Sequence, residues 1–209
     1  MNEISKVGIL RETKNPPDPR VALTPEQVPV FWDRFPLMAL YMQPSNIRSF
    51  TNEEYKQKLI PVEENLSHCD LLLGIKEVDW RTFIPGKTYM FFAHVGKEQP
   101  YNRKMLQEML RNKITLIDYE YLTRADGSRI VAFGRWAGMV GAYNGLRGLG
   151  YRLGLFNLKP AHQCCNKEAL FAELKRVELP PVKILITGGG RVAWGALGLL
   201  RALNIREIS

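Results

Sequence analysis

The sequence predicts an α/β protein with a mainly parallel sheet. Three observations predict it. Short apolar runs alternate with helix-starting signals over the first 130 or so residues, the pattern that parallel strands linked by crossover helices leave in a sequence. Pro180-Pro181 then punctuates the chain, and a glycine turn, Gly188-Gly189-Gly190, sits between an apolar run and a helical pattern. At 209 residues and 45% hydrophobic, the chain has room for one complete domain and part of another.

Val7 to Leu10 reads as a buried strand. Thr24-Pro25-Glu26-Gln27 then starts a helix, with Thr24 as N-cap, Pro25 at the first helical position and Gln27 at N3. Leu37 to Met42 is a second strand, and Thr51-Asn52-Glu53-Glu54 opens a second helix by the same capping logic. Leu71 to Ile75 and Tyr89 to Ala93 are the third and fourth strands. From Glu98 to Arg111 the spacing of Tyr101, Met105 and Met109 is helical, and Thr115 to Ile117 and Ile130 to Phe133 complete the strands of this half. Residues 1–135 are therefore expected to form a Rossmann-like (flavodoxin-like) domain. Residues 136–180 are read as connecting helices: a Gly- and Ala-rich one from Ala137 through Leu149, whose small residues allow close neighbours, and a second from Lys167 to Val177.

Residues 181–209 are expected to begin a second, truncated Rossmann domain. An apolar strand from Val182, with Ile184, Leu185 and Ile186, leads into Gly188-Gly189-Gly190-Arg191-Val192-Ala193, a G-x-G-x-x-A run; Val192, Ala196, Leu199, Leu200 and Leu203 then share a helical face. Gly188 permits the tight turn, Gly190 lets a pyrophosphate approach the backbone, and Ala193 lets the helix pack closely on the strand. The expected ligand is a nicotinamide dinucleotide, NAD or NADP, on the helix N-terminus. Bulky Trp194 needs an apolar neighbour. Only Asn204 to Ser209 follow, too little for the acidic residue that normally holds the ribose, so residues 1–209 alone are expected to bind NAD(H) or NADP(H) weakly at best.

The net charge of +8 is spread among Asp and Glu with no run of five cations, so a solvated basic surface is expected rather than a nucleic-acid partner. No segment approaches the ~18 apolar residues of a membrane span. The start, MNEISKVGIL, has Glu3 where a secretory leader has basic residues, and a soluble cytoplasmic protein is expected. Three cysteines, Cys164 and Cys165 adjacent, fit reduced thiols and form no metal pair.

Ligands of open α/β sheets lie beyond the carboxyl ends of the strands. There the sequence puts Arg11, Lys14 and Arg20 after the first strand, Lys76-Glu77 after the third, and His94, then Lys97, after the fourth. Such cations suit a substrate with carboxylates. His94 is the natural proton-transfer group at neutral pH, and Lys76, with other cations near it, is a second candidate acid or base. A snorkelling lysine, a solvated loop arginine and a structural histidine are the plain alternatives at each position. His68 and His162 are read as structural.

The same residues carry a family likeness. RETKNPPDPRVALTPEQV resembles the opening motif shared by alanine dehydrogenases, transhydrogenase domains and saccharopine dehydrogenases. LYMQPSNIRSFTNEEY, DLLLGIKEV, KTYMFFAHVGKEQP, LIDYEYLTRADGSRIVAFGRWAG and TGGGRVAWGA resemble, in order, the lysine-ketoglutarate reductase region of aminoadipic semialdehyde synthases. The resemblance implies that Lys76 and His94 are an acid–base pair, that Arg20 holds a substrate carboxylate, and that Glu77, Lys97 and Glu120 shape the site electrostatics. It implies an oxidoreductase joining an amino acid to a 2-oxo acid, with hydride from a reduced nicotinamide, or the reverse. Amino acid deamination of the alanine dehydrogenase type and a non-catalytic amino-acid-binding module are the alternatives. The stretch LFNLKPAHQCCNKEAL departs from the family pattern.

Overall fold

A computed structural model describes residues 5–203 and 205. Of the short tail expected to begin the next element, Asn204 and residues 206–209 lie outside the described residues. The chain divides into two compact units, Met1–Val131 and Ala132–Ser209.

In the first unit β1 (Lys6–Ile9), β2 (Ala39–Met42), β3 (Leu71–Leu73), β4 (Thr88–Phe91) and β5 (Thr115–Asp118) form one parallel sheet in the order β2-β1-β3-β4-β5. Val7 stands opposite Leu40 on one side and Leu71 on the other. The strands are short apolar runs because helices and loops cover both faces of the sheet. Leu72 joins one core with Tyr89, Phe91, Met105 and Met109, while its neighbours Leu71 and Leu73 turn toward the other, built on Val7, Ile9, Leu40 and Met42. That split is the two-residue alternation of a strand.

The helices of this unit are α1 (Gln27–Arg34), α2 (Asn52–Lys56) and α3 (Arg103–Arg111). The capping box expected at α2 is present: Glu54 N–H donates to Thr51 Oγ1 (3.3 Å) and Thr51 N–H to Glu54 Oε2 (2.6 Å). At α1 only half of the expected box forms. Gln27 Oε1 accepts from Thr24 N–H (2.9 Å), but Thr24 does not cap, and residues 24–27 make a turn (Gln27 N–H to Thr24 O, 3.0 Å) before the helix starts. Starting at Gln27 places Pro29 in the first turn, where its missing N–H costs nothing.

Ile130 to Phe133 is not a strand. Residues 123–129 fold back as a tight turn bridged between Thr123 and Arg129, with Gly127 at φ 77°, and Ile130 N–H goes to Leu122 O instead of to the sheet. The apolar run that suggested a strand is partly exposed, Ile130 at 52%; four residues are too few for periodicity to decide.

The second unit packs α4 (Gly134–Leu153), α5 (Lys167–Glu173) and α6 (Arg191–Arg201) around Met139, Tyr143, Leu146, Leu158, Leu170, Leu174, Leu199 and Leu200. Two glycines bring α4 and α6 into backbone contact. A Cβ on Gly138 would lie 1.9 Å from Val192 O, and one on Gly195 would lie 1.9 Å from Arg135 O. The segment that departs from the family pattern is integral here: Tyr143 Oη donates to Lys159 O (2.6 Å), Arg147 Nε to Leu158 O (3.0 Å), and Asn166 caps α5 through Ala169 N–H (2.8 Å). The helix from Lys167 ends sooner than expected, at Glu173, and tightens to a 3-10 turn over Leu174–Arg176.

Val182 to Ile186 does not pair as a strand. A strand exists through ladder hydrogen bonds, and among the described residues none runs beside this segment; Leu185 is 85% exposed. Val192, expected on the buried face of α6, is 56% exposed, although its carbonyl oxygen packs against Gly138 of α4. Trp194, at 59% exposed, has no buried niche.

Candidate functional site

With the order β2-β1-β3-β4-β5, connections reverse direction between β1 and β3, so the carboxyl ends of these two strands open a crevice. Around that edge the structure gathers Glu12 and Lys14 after β1, Lys76 and Glu77 after β3, His94 after β4 and Glu120 after β5. Glu77 is the junction. Its Oε1 is 2.8 Å from His94 Nδ1 and its Oε2 is 2.6 Å from Lys14 Nζ. Burial alone would raise the Glu77 carboxyl, but the hydrogen bonds from Lys14 and His94 outweigh it and hold the group at about 2. An ionised carboxylate can only accept, so Nδ1 carries the hydrogen and the imidazole in its neutral form keeps Nε2 as a proton acceptor. The His94 backbone is left-handed (φ 53°), and its ring stacks on Phe92 with centroids 6.1 Å apart.

A second cluster adjoins the first. Glu120, 7% exposed, binds Lys97 Nζ (2.7 Å) and Arg129 Nη2 (3.1 Å) through Oε1. Lys97 holds its carboxyl below the usual carboxylate range, and His94 adds to the effect through space. Glu120 Oε2 and Asp118 Oδ2 are buried with no hydrogen-bond partner among the described residues. The Tyr121 ring lies over Gly96, where a Cβ would sit 1.7 Å from Tyr121 Oη and push that ring aside.

Arg20 is gripped by Asp18, with Nε 2.8 Å from Oδ1 and a second bond from Nη2 to Oδ2. The Arg20 hydrogen bonds lower the Asp18 carboxyl, and Lys76 contributes a smaller electrostatic share. Lys76 thus has an anion within electrostatic reach, where the sequence led us to expect cations around it. Its backbone N–H and that of Ile75 are both taken by Glu12. Arg11 turns elsewhere, to a bidentate pair with Glu64 (2.8 and 2.5 Å). Of the six expected residues of this unit, four thus fall into two contacts, Glu77 with His94 and Lys97 with Glu120, while Arg20 and Lys76 both act on the charge of Asp18. The sequence pointed past Glu12 and Asp18, because a loop read for cations hides the carboxylates that orient them, and past Arg129, because it lies in a turn away from any strand end.

The second unit holds a cavity of about 870 Å³ between α4, residues 182–188 and α6. Ala137, Gly141, Ala142 and Gly145 line one wall, and Arg191, Val192 and Ala193 line another. Gly188 has φ +86°, the left-handed region only glycine enters freely, and Gly190 is the extended residue before α6. A Cβ at Gly188, Gly189 or Gly190 would meet nothing within 4 Å. Open space above three glycines at the N-terminus of an 11-residue helix fits a dinucleotide pyrophosphate.

No helix among the described residues is long and apolar enough to cross a membrane. The model of the alanine dehydrogenase/PNT N-terminal domain matches residues 8–140. Among curated proteins, the alpha-aminoadipic semialdehyde synthase of Arabidopsis thaliana is 30% identical over 94% of this chain and 21% of its own length. The mitochondrial enzyme of that name from Mus musculus is 32% identical over 80% and 21%. The saccharopine dehydrogenase [NAD(+), L-lysine-forming] of Emericella nidulans is 31% identical over 97% and 58%. The chain thus spans about a fifth of the first two relatives and somewhat over half of the third. An L-alanine dehydrogenase structure superposes with a TM-score of 0.70 at 19% identity, over 95% of this chain and 52% of that one, a likeness of fold. The α/β fold and the family resemblance expected from the sequence both hold: the chain belongs to the alanine dehydrogenase/PNT N-terminal domain family.

Proposed function

We propose that these residues are the substrate half and the start of the nucleotide half of a nicotinamide-dependent oxidoreductase acting on a CH–NH bond. The reaction is reductive condensation of an amino acid with a 2-oxo acid, or its reverse, as the family resemblance of the sequence implies; a relative's name, saccharopine dehydrogenase [NAD(+), L-lysine-forming], is in keeping with it. The observation that carries this reading is the Glu77–His94 hydrogen bond at the strand edge that also presents Lys76. Glu77 fixes the imidazole tautomer and stabilises the imidazolium, so His94 Nε2 accepts and returns a proton while the amine adds and water leaves. Lys76 is the second proton carrier. Arg20, oriented by Asp18, binds a substrate carboxylate, and Lys97 with Arg129 offsets the charge of Glu120 beside it.

Gly188, Gly189, Gly190, Arg191, Val192 and Ala193 would hold NAD or NADP, with the pyrophosphate on the first turn of α6. The bound nicotinamide supplies or takes the hydride. The test is consumption of reduced nicotinamide by the full-length gene product with lysine and 2-oxoglutarate, run against pyruvate with ammonia. Turnover that needs lysine and 2-oxoglutarate supports the reading. Turnover only with ammonia and an oxo acid moves the protein to the deaminating class, and none with either removes the substrate assignment.

A further inference from the structure

Glu12 stands three residues beyond β1 and crosses to β3. Its Oε1 accepts from Ile75 N–H at 2.7 Å and its Oε2 from Lys76 N–H at 2.9 Å. Both carboxylate oxygens are therefore spent on two consecutive amides, at the point where β3 ends and the backbone delivers the Lys76 side chain. A Cβ on Gly74 would stand in ordinary van der Waals contact with Glu12 Oε1, at 3.6 Å. Burial raises the Glu12 carboxyl above its ordinary value, against the pull of the two amides; Asp18 raises it further and Arg20 lowers it. Its charge reaches Tyr119 as well, which burial pushes up to about 12. A buried anion costs free energy, and a glutamine here would present an NH2 to one of two N–H donors.

We propose that Glu12 is the positioning residue of the strand-end site: by clamping the Ile75 and Lys76 amides it sets the direction in which Lys76 leaves β3 relative to Arg20. The proposal rests on the reading above only in taking Lys76 and Arg20 as the groups that meet substrate. Loss of the clamp leaves the lysine present but misdirected, and misplacement on the scale of an ångström costs on the order of 100-fold in rate.

Two measurements test it, one without catalysis. In the ¹⁵N-labelled 209-residue chain, the Ile75 and Lys76 amide resonances are expected to move together with pH along one carboxyl titration. Its midpoint lies above the usual glutamate value, apart from Asp18 and Glu77, which titrate low. Glu12→Gln is expected to abolish that shared inflection while the rest of the spectrum keeps its dispersion. In the full-length gene product the same substitution is expected to lower kcat on the order of 10- to 100-fold with KM for the dinucleotide unchanged. Amides that ignore the titration, or a Glu12→Gln enzyme with unchanged kcat, overturn the proposal. If the unsubstituted enzyme turns over neither substrate pair, the proposed reaction falls; the clamp is then judged by the amide titration and by labelling of Lys76 relative to exposed Lys56. A several-fold change on Glu12→Gln supports it, and an unchanged ratio overturns it.

Discussion

The two units build their candidate sites from opposite materials. In the first, position comes from charged side chains on a complete parallel sheet: Glu12, Asp18, Glu77 and Glu120 each orient a named cation or amide. In the second, position comes from the absence of side chains. Gly138 and Gly195 let two helix backbones touch, and Gly188 to Gly190 leave a turn open to a ligand. A polar site tolerates small movements because its partners are flexible, whereas a glycine contact is set by rigid backbone.

The sharpest way to break this comparison is to add one methyl group in each unit. Gly138→Ala puts a carbon 1.9 Å from Val192 O, and neither helix can yield without losing the α4–α6 contact. The expected cost is about 2–3 kcal/mol, confined to residues 132–203. Gly8→Ala in β1 meets Leu72 Cδ2 at 2.9 Å and Leu66 Cδ1 at 3.0 Å, both ends of movable side chains, and is expected to cost about 1 kcal/mol. Hydrogen exchange reads both changes, since α6 amides should lose protection in the first variant and β1 and β3 amides in the second. Equal losses would mean that α4 and α6 are not in backbone contact in solution.

How far the sequence reached follows the same division. All five paired strands were legible because each is a short apolar run with a helix or turn signal after it, and the capping box at Thr51 was legible because both partners lie within four residues. What pairs with what was not. Ile130 to Phe133 and Val182 to Ile186 have strand composition, but a strand also requires a neighbour, which no local pattern encodes. In the site, Lys76, His94 and Arg20 were visible as cations at strand ends. The carboxylates that aim two of them were not: the amides that Glu12 holds lie beyond β3, far away in the sequence, and Asp18, only two residues from Arg20, carries no local pattern that says it turns back on that side chain.

A smaller effect separates two carboxylates on one edge. Glu77 sits at about 2 in the fold against an ordinary 4.5, so its contribution is fully present above pH 4.5 and disappears as pH falls toward 2. Its size is about 1–2 kcal/mol, less than the full displacement implies, because Lys14 is 35% exposed and water screens the pair. Glu12 has the opposite sign: its raised value favours the fold at low pH, and that contribution is lost as pH rises through it. Urea midpoints between pH 5 and pH 3 should show Glu77→Gln converging on the unsubstituted chain, whereas the gap between Glu12→Gln and the unsubstituted chain should hold steady there and change only as pH rises above 4.5, where the unsubstituted chain loses stability relative to the variant. Curves parallel across both ranges would sink the assignment of both shifts.

The smallest expected effect is a gain. Gly145 lies inside α4 with ordinary helical backbone, and a Cβ there meets nothing within 4 Å. Alanine at that position removes unfolded-chain freedom and adds helix propensity, together about 0.5–1 kcal/mol. For a unit of this size that raises the thermal midpoint by roughly 2–6 °C. The methyl group would enter the 870 Å³ cavity that Gly145 lines beside Gly141 and Ala142. A rise in midpoint therefore shows that this wall of α4 faces open space in solution. A fall shows that something already rests against it, which would make the small residues of α4 a packing surface of the same rigid kind as the Gly138 contact.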